Sequence, residues 1–187
     1  VELEGRPVGY AELEYYMLNK PAGVITATED KRQKTVLDLM EGRKRRDLFP
    51  VGRLDVDTEG LLLITNDGEL AHQLLSPKKH VDKVYYVKLD REIPREAADT
   101  FAAGMTLGDG TKLQPALLCL ESTVSARLTI REGKFHQVKR MFQAVGCRVI
   151  YLKRLSMGPL ALDETLAPGA CRPLTEEEIR QLKESVS

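Results

Sequence analysis

A short polar segment between two apolar stretches holds the densest set of chemically capable side chains in the sequence. The segment is Gly52-Arg53-Leu54-Asp55-Val56-Asp57-Thr58-Glu59-Gly60. It combines the carboxylates of Asp55, Asp57 and Glu59 with one guanidinium group. Carboxylates act as nucleophiles, as general acids or bases, or as ligands of hard cations. Because loops on a rigid sheet commonly display catalytic groups, this segment is the first candidate for a functional site.

Three interpretations fit these carboxylates. One is calcium binding, because four residues match positions 1, 3, 5 and 6 of an EF-hand loop: Asp55, Asp57, Glu59 and Gly60. Position 12 argues against it, since Asn66 stands where the loop needs a bidentate glutamate. The second is a paired acid and base, as in glycoside hydrolysis, which Asp55 and Asp57 could form. The third is a solvated turn in which Asp57 and Thr58 only bond the backbone.

Basic residues concentrate in two parts of the chain. From Arg127 to Arg154 there are eight lysines and arginines against one acid, Glu132, and a second block is Arg43-Lys44-Arg45-Arg46. The whole chain has 28 basic and 28 acidic residues, so its formal net charge of zero argues weakly against a nucleic-acid partner. Acids gather near both ends, however, which leaves polyanion binding at one face possible. The alternative is that these charges only solvate helix and loop surfaces.

The elements that must position these groups follow from the apolar pattern. Residues 15–18 and 24–26 flank an Asn-Lys-Pro-Ala-Gly turn and predict a hairpin. Further strands are predicted over 61–65, 83–89, 117–121, 126–131 and 149–152. Helices are predicted over 35–40, between the Asn66-Asp67-Gly68 turn and Pro77, over 94–103, over 135–145 and from 175 onward. Because strands and helices alternate irregularly, we expect an α+β fold with a mixed, largely antiparallel sheet flanked by helices.

Length and composition indicate an ordinary globular chain. Its 187 residues are enough for one substantial α/β domain without disulfide support. The three cysteines are widely spaced and lack a CxxC pair, so neither a disulfide framework nor a zinc site is predicted. The longest apolar run, residues 61–64, is too short to cross a bilayer, and no signal-peptide pattern is seen. We therefore expect a cytoplasmic protein that does not contact membranes.

Four motifs in the sequence resemble those of one enzyme family. The segment GRLDVDTEGLLLITNDGEL resembles the signature motif of the RsuA/RluB-type ribosomal RNA pseudouridine synthases. YYMLNKPAGVI resembles their opening motif, KVYYVKL their tyrosine motif, and REGKFHQVKRMFQAVG their basic helix motif. The four occur in family order between Tyr15 and Gly146. The resemblance implies the pseudouridine synthase fold, with a central catalytic cleft.

The resemblance also implies roles for individual residues. Asp55 would be the nucleophile, Tyr85 the ring that packs on the target uracil, and Lys139 the cation that pairs with the nucleophile. Arg53 would fill the space left by the extruded base. Further RNA contacts are expected from basic residues of the later segments and from a histidine of either RNA-contacting or structural role: Lys134, His136, Arg140, Lys153 and Arg154. Lysine at position 139 lacks the bidentate fork of the arginine common in the wider superfamily.

The chemistry of uridine isomerisation suits these residue types. The bond between ribose and ring nitrogen breaks, the uracil turns, and a ring carbon bonds to the ribose, so we expect no cofactor and no metal. A carboxylate fits either attack on carbon 1 of the ribose or addition to carbon 6 of the ring. A nearby cation keeps such a carboxylate ionised where water is excluded. The target base must also leave its stack, because the glycosidic bond is inaccessible inside a helix.

The expected function is isomerisation of one uridine in ribosomal RNA, with the small-subunit 16S rRNA favoured by the HQVKRMF wording. The alternatives are a large-subunit rRNA pseudouridine synthase and a non-catalytic rRNA-binding assembly factor. We expect residues 13–187 to form the catalytic domain, and residues 1–12 to be a linker or remnant following a missing N-terminal RNA-binding domain. The expected partner is ribosomal RNA or an assembling ribosomal subunit, bound by a monomer.

Overall fold

A nine-stranded sheet organises the part of the chain that the structure describes. The computed structural model describes residues 2–3, 6–7, 12–40, 42 and 47–187. A separate ribbon consists of β1 (Glu2–Leu3) and β2 (Arg6–Pro7). The large sheet consists of β3 (Tyr15–Lys20), β4 (Phe49–Pro50), β5 (Glu59–Thr65), β6 (Lys83–Leu89), β7 (Leu117–Leu120), β8 (Ser125–Ile130), β9 (Val149–Met157), β10 (Leu160–Ala161) and β11 (Cys171–Pro173).

The order of the strands makes the sheet mixed. Its main path runs β11-β3-β5-β9-β6-β8-β7, while β4 pairs with β5 and β10 with β9. Among the described pairings between strands of this sheet, the β5–β9 pair is parallel and the others are antiparallel. The predicted α+β fold with a mixed, largely antiparallel sheet is confirmed.

Helices cover both faces of this sheet. They are α1 (Gly68–Leu75), α2 (Ala97–Ala102), α3 (Gln137–Ala144) and α4 (Glu176–Ser185). Apolar residues of α2 and α3 join one buried cluster, and those of α1 and α4 join the other. Central strand β5 contributes to both, since Leu62 and Ile64 belong to the first cluster and Leu61 and Leu63 to the second. A strand buried on two faces explains the continuous apolar run in its sequence.

The predicted hairpin between residues 15–18 and 24–26 is wrong. β3 pairs instead with β5 on one side and β11 on the other, so both of its edges are occupied. Beyond the turn, Ile25 forms only an isolated bridge with Thr35. All six residues of β3 are buried, which suits an interior strand of the sheet better than one arm of a hairpin.

Two sequence predictions lie wholly or partly outside the described residues. The basic block at residues 43–46 is one of them. The other is the linker at residues 1–12, of which the structure describes β1, β2 and residue 12. Within the described part of the chain, none of the helices is both long enough and apolar enough to span a bilayer.

The parallel pairing of β5 with β9 requires a glycine at position 60. Gly60 lies opposite Arg154 and has a φ of 106°, in the region that favours glycine. A Cβ atom at this position would lie 2.2 Å from the backbone oxygen of Arg154. Neither backbone can move away without breaking the pairing that joins the two halves of the sheet.

We predict that Gly60→Ala lowers the free energy of unfolding by about 2–4 kcal/mol, from backbone strain plus the clash. Gly110→Ala is the matched control, because Gly110 also has a positive φ but has open space where an alanine Cβ would lie. The control should lose about 1 kcal/mol. Urea unfolding measures both variants, and equal losses would contradict the steric explanation.

Candidate active site

A buried lysine fixes the loop that carries the central carboxylates. This aspartate loop, residues 52–58, connects β4 to β5. At the end of β3, the Nζ of Lys20 donates to the carbonyl oxygens of Thr58 at 2.7 Å, Pro21 at 3.1 Å and Val56 at 3.2 Å. Three bonds use all the donors of an ammonium group. The end of β3 and the aspartate loop are therefore joined through one side chain.

The environment of Lys20 is unusual for a lysine, because its side chain is fully buried. Burial lowers the pKa of Lys20 to about 8, although the nearby carboxylates of Asp57, Glu59 and Asp55 oppose this change. The three carbonyl oxygens and the acidic surroundings compensate for part of the loss of water around the ammonium.

Two further contacts hold the aspartate loop against the segment that follows β3. Thr26 Oγ1 donates to the carbonyl oxygen of Leu54 at 2.9 Å and lies 3.2 Å from the Leu54 amide. The amide of Gly23 donates to the carbonyl oxygen of Val56 at 2.8 Å. Asp55 is thus flanked on both sides by residues whose backbone positions are fixed.

The carboxylate of Asp55 contacts two side chains from the start of α3. Its Oδ2 lies 3.0 Å from Lys139 Nζ and 2.8 Å from His136 Nδ1. Because an ionised carboxylate only accepts hydrogen bonds, Nδ1 carries the proton in this contact. Lys139 Nζ also donates to Asp57 Oδ1 at 2.7 Å. The aspartate loop and α3 therefore meet through a network of two acids and two bases.

These contacts keep Asp55 ionised. Burial raises the pKa of the Asp55 carboxyl, but hydrogen bonds from His136 and Lys139 and their charges lower it by more, so the net pKa lies below its ordinary value. Burial lowers the pKa of Lys139, while its hydrogen bonds to Asp57 and Asp55 raise it to a net value above the ordinary one. A charged pair is therefore the stable state at neutral pH.

The chain turns sharply just before α3, where it must bring a side chain to Asp55. His136 adopts the left-handed conformation, with φ 48° and ψ 35°, which is uncommon for residues other than glycine. From position 137 the helix is anchored by Val138, Met141 and Phe142, which are buried in the core. The burial of one helical face directs the opposite side, with Lys139, toward the aspartate loop.

Two adjoining spaces open beside Asp55. The first is a cavity of about 60 Å³ whose lining includes Asp55, Tyr85, Ile130, Gln137 and Leu152. The second is a wider groove of about 650 Å³, lined in part by Arg53, Asp55, Lys134, Phe135, His136 and Lys139. Asp55, Tyr85 and Lys139 come from three distant segments, and the fold brings them together around these two spaces. Tyr85 itself is only 8% exposed and forms part of the core as well as the cavity wall.

The residues predicted to contact RNA differ in their exposure and in their hydrogen-bond partners. Arg53 and Lys134 are exposed and line both spaces, and His136 bonds Asp55. Lys153 is partly exposed on β9. Arg140 is held by Asp109, at 2.5 Å, and by the carbonyl oxygen of Phe135.

Arg154 requires a correction. It is buried, and its Nε donates to the carbonyl oxygen of Leu61 at 2.9 Å. A guanidinium group enclosed between β5 and β9 lacks the exposure that a phosphate contact needs, so we withdraw Arg154 from the expected RNA contacts. The alternating pattern of β9 could have indicated this, because Arg154 falls on the same side as the buried Leu152.

Sequence interpretation missed two contributors to this site. Lys20 belongs to the recognised opening motif, but its burial under the aspartate loop could not be inferred from the motif. Asp57 was considered as a calcium ligand, an acid–base partner or a turn residue, whereas it pairs with Lys139. A hint existed for Lys20, since a lysine directly before proline ends an otherwise apolar strand.

The geometry does not favour calcium binding by the aspartate loop. Residues from Glu59 onward form strand β5 rather than a continuing loop, and the Glu59 carboxylate accepts a hydrogen bond from Tyr151 at 2.9 Å. Among the described residues, no group of three or more histidines, cysteines or acids is arranged to hold a metal ion. Asp55 and Asp57 both border the groove, and they share Lys139 between them.

Comparison with known proteins gives a consistent result. A family model described as RNA pseudouridylate synthase matches residues 14–144. The uncharacterised RNA pseudouridine synthase YtzG of Bacillus subtilis (strain 168) is 53% identical over 189 residues, covering 98% of this chain and 79% of the relative. The ribosomal small subunit pseudouridine synthase A of Salmonella typhimurium is 45% identical over 181 residues, covering 96% of this chain and 78% of the relative.

Solved structures show the same likeness. A crystal structure described as pseudouridylate synthase has a TM-score of 0.88 and 40% sequence identity, covering 93% of this chain and 75% of that chain. An archaeal box H/ACA sRNP Nop10-Cbf5 complex contains a chain with a TM-score of 0.58 at 18% identity, covering 83% of this chain and 51% of that chain. The second likeness concerns the fold alone.

We predict that Lys20→Met both destabilises the chain and displaces Asp55. The substitution removes the ammonium donor from three carbonyl oxygens, of which that of Val56 keeps the Gly23 amide. The relief from burying a charge offsets only part of that loss. We expect the free energy of unfolding to fall by about 1–3 kcal/mol in urea titrations. Lys79→Met, at an exposed lysine, is the control and should change stability by less than about 0.5 kcal/mol. Unchanged stability in Lys20→Met would contradict the inference that Lys20 holds the aspartate loop in place.

Proposed function

Because this chain belongs to the RNA pseudouridylate synthase family, we propose that it converts one specific uridine of small-subunit ribosomal RNA to pseudouridine, with Asp55 as the nucleophile. Pseudouridine synthase activity on RNA follows from the family itself. The small-subunit substrate is supported by the 45% identity to the Salmonella enzyme of that name. The observation that carries the choice of nucleophile is the ionised Asp55 carboxylate, held by Lys139 and His136 beside the Tyr85 cavity.

The position of Asp55 suits a nucleophile in either chemical route. Its carboxylate borders both the cavity and the groove, so an inserted nucleoside would place its ribose or its ring next to Oδ1 or Oδ2. Lys139 keeps the carboxylate ionised when the nucleotide excludes water. It also stabilises the charge that redistributes as the glycosidic bond breaks. No external group enters the reaction, because the uracil that leaves the ribose rejoins it.

Tyr85 would form the wall on which the extruded uracil lies. Its ring lines the cavity next to Asp55, and flat aromatic rings bind unstacked bases by stacking. Since β6 pairs with both β8 and β9, the strand that carries Tyr85 sits in the interior of the sheet and is rigid. A rigid wall opposite the nucleophile would limit the orientations that the detached uracil can adopt.

Exposed cations around the groove would position the RNA without identifying its sequence. We assign phosphate contacts to Arg53 and Lys134, which line the groove, and to the partly exposed Lys153 on β9. Arg53 also borders the small cavity, where a planar guanidinium could occupy space that the target base leaves. The domain division at residue 13, the monomeric state and the cytoplasmic location stay predictions.

We predict that Asp55→Asn abolishes turnover, measured as tritium release from small-subunit rRNA containing 5-tritiated uridine. Rejoining through carbon 5 expels its hydrogen, so each turnover releases one tritium. The rate should fall by at least about a thousandfold. Asp57→Asn is the matched substitution in the same loop and should lower the rate by less than about tenfold, because an exposed ion pair contributes little.

The products of the same reactions test the rival mechanisms. A hydrolase that used Asp55 and Asp57 together would release free uracil and would lose activity equally in the two variants. Substantial tritium release by Asp55→Asn would remove Asp55 from the role of nucleophile. Chemical mapping of pseudouridines in both rRNAs of a deletion strain identifies the subunit, and a missing large-subunit site would contradict the small-subunit assignment.

The acid side of the pH–rate profile provides a further prediction. Because the pKa of Asp55 is lowered, its carboxyl remains ionised at pH values below the ordinary pKa of 3.8. Activity and the contribution of Asp55 to stability are both lost as the pH falls through the folded-state pKa. Lys139→Gln removes one of the two side chains that lower the pKa of Asp55, so burial raises this pKa against His136 alone. The acid midpoint of kcat/KM should therefore move to higher pH, while the exposed Lys79→Gln variant keeps the original midpoint. An unmoved midpoint in Lys139→Gln would contradict the electrostatic role of Lys139.

A further inference from the structure

Phe135 has an apolar side chain that is largely exposed to solvent. Its side chain is 75% exposed, the highest value among the large apolar side chains of the described residues. The proposed mechanism does not use it. Single exposed apolar residues are common on protein surfaces, but this one lies in the groove that leads to Asp55. A molecule bound in this groove would therefore contact Phe135.

The backbone around Phe135 is held in place. We call residues 133–136 the phenylalanine loop. The Nη1 of Arg140, on α3, donates to the carbonyl oxygen of Phe135 in this loop at 3.3 Å. Arg140 is fixed in turn by Asp109. The side chain of Gln137 accepts from the Lys134 amide at 3.1 Å. The exposed ring therefore projects from a braced turn, and binding a flat ligand would require little ordering of this loop.

The immediate surroundings of Phe135 are cationic. In the groove, Lys139 is paired with Asp55 and Asp57, whereas Arg53 and Lys134 are exposed and supply the remaining positive charge. The ring centroid of Phe135 lies 3.8 Å from that of His136, which bonds Asp55. An aromatic face combined with positive charges is how proteins bind single-stranded nucleic acids, since bases stack while phosphates pair with cations. A site for an apolar peptide would not need this excess of positive charge beside the ring.

We propose that Phe135 is a stacking platform for a nucleobase that neighbours the target uridine in the RNA strand. This inference rests on the proposed function, and it adds a second base-binding position to the Tyr85 cavity. With the target uracil against Tyr85, the adjacent base leaves the stack and lies on the Phe135 ring. The phosphate between the two nucleotides then passes the cations at Arg53 and Lys134. Stacking on Phe135 stabilises the unstacked strand conformation that base extrusion requires.

The test uses a short single-stranded oligouridylate that carries one 2-aminopurine, whose fluorescence is quenched by stacking. We expect quenching on binding to the wild-type chain and to Phe135→Tyr, which keeps an aromatic ring. Phe135→Ala should lose the quenching and raise the Kd about 5- to 100-fold at fixed salt. Leu117→Ala is the control, because Leu117 is 60% exposed on β7 and lines a different cavity. This variant should bind like the wild type.

Wild-type affinity and quenching in Phe135→Ala would overturn the proposal and indicate instead that Phe135 contacts a protein or nothing. Thermal unfolding verifies that this exposed substitution leaves the fold intact. The tritium-release assay separates this inference from the proposed function. If the wild type releases tritium from small-subunit rRNA but binding does not depend on Phe135, only the stacking platform fails. If binding and quenching depend on Phe135 but no tritium is released, the proposed function fails and the base-binding position stands.

Discussion

The three hydrogen bonds of the buried Lys20 ammonium are the contact on which the geometry of the site depends. They connect the end of β3 to the aspartate loop, and they add to the backbone hydrogen bond from the Gly23 amide to Val56 in the middle of that loop. Asp55 directly precedes Val56, the first of the two loop residues whose carbonyl groups Lys20 holds. Burial disfavours the charged form of Lys20, and the carboxylates of the acidic loop partly offset this effect. The same loop is held in place by the hydrogen bonds of Lys20.

A second electrostatic balance determines the state of Asp55 itself. Burial opposes its ionisation, and the approach of His136 and Lys139 from α3 reverses that effect. Lys139 is shared with Asp57, so the network joins the aspartate loop to the helix as well as tuning one carboxyl group. The same helix continues from the phenylalanine loop. One short segment therefore supplies the partners of the Asp55 carboxylate and an exposed ring beside it.

The distribution of charge explains how a chain with no net charge can bind RNA. Several members of the basic block are paired with acids from other segments: Arg127 with Glu121, Arg131 with Asp82 and Arg140 with Asp109. These acids compensate part of the positive charge of the basic block. The cations beside the groove, at Arg53 and Lys134, are exposed and face the space in front of Asp55. Location, rather than the sum of charges, governs contact with a polyanion.

The sequence by itself determined the family, the strands and helices with strong periodicity, and the position of Asp55 in a loop before β5. These properties are local, because apolar spacing and motif order are written along the chain. Tertiary structure decided the pairing of β3 with β5 and β11 in place of the expected hairpin, the parallel pairing of β5 with β9, and the burial of Lys20 and Arg154. It also decided which cations reach Asp55. The contacts of Asp55 and Asp57 with His136 and Lys139 join residues about 80 positions apart, and their free energy depends on burial and distance that exist only once the chain has folded.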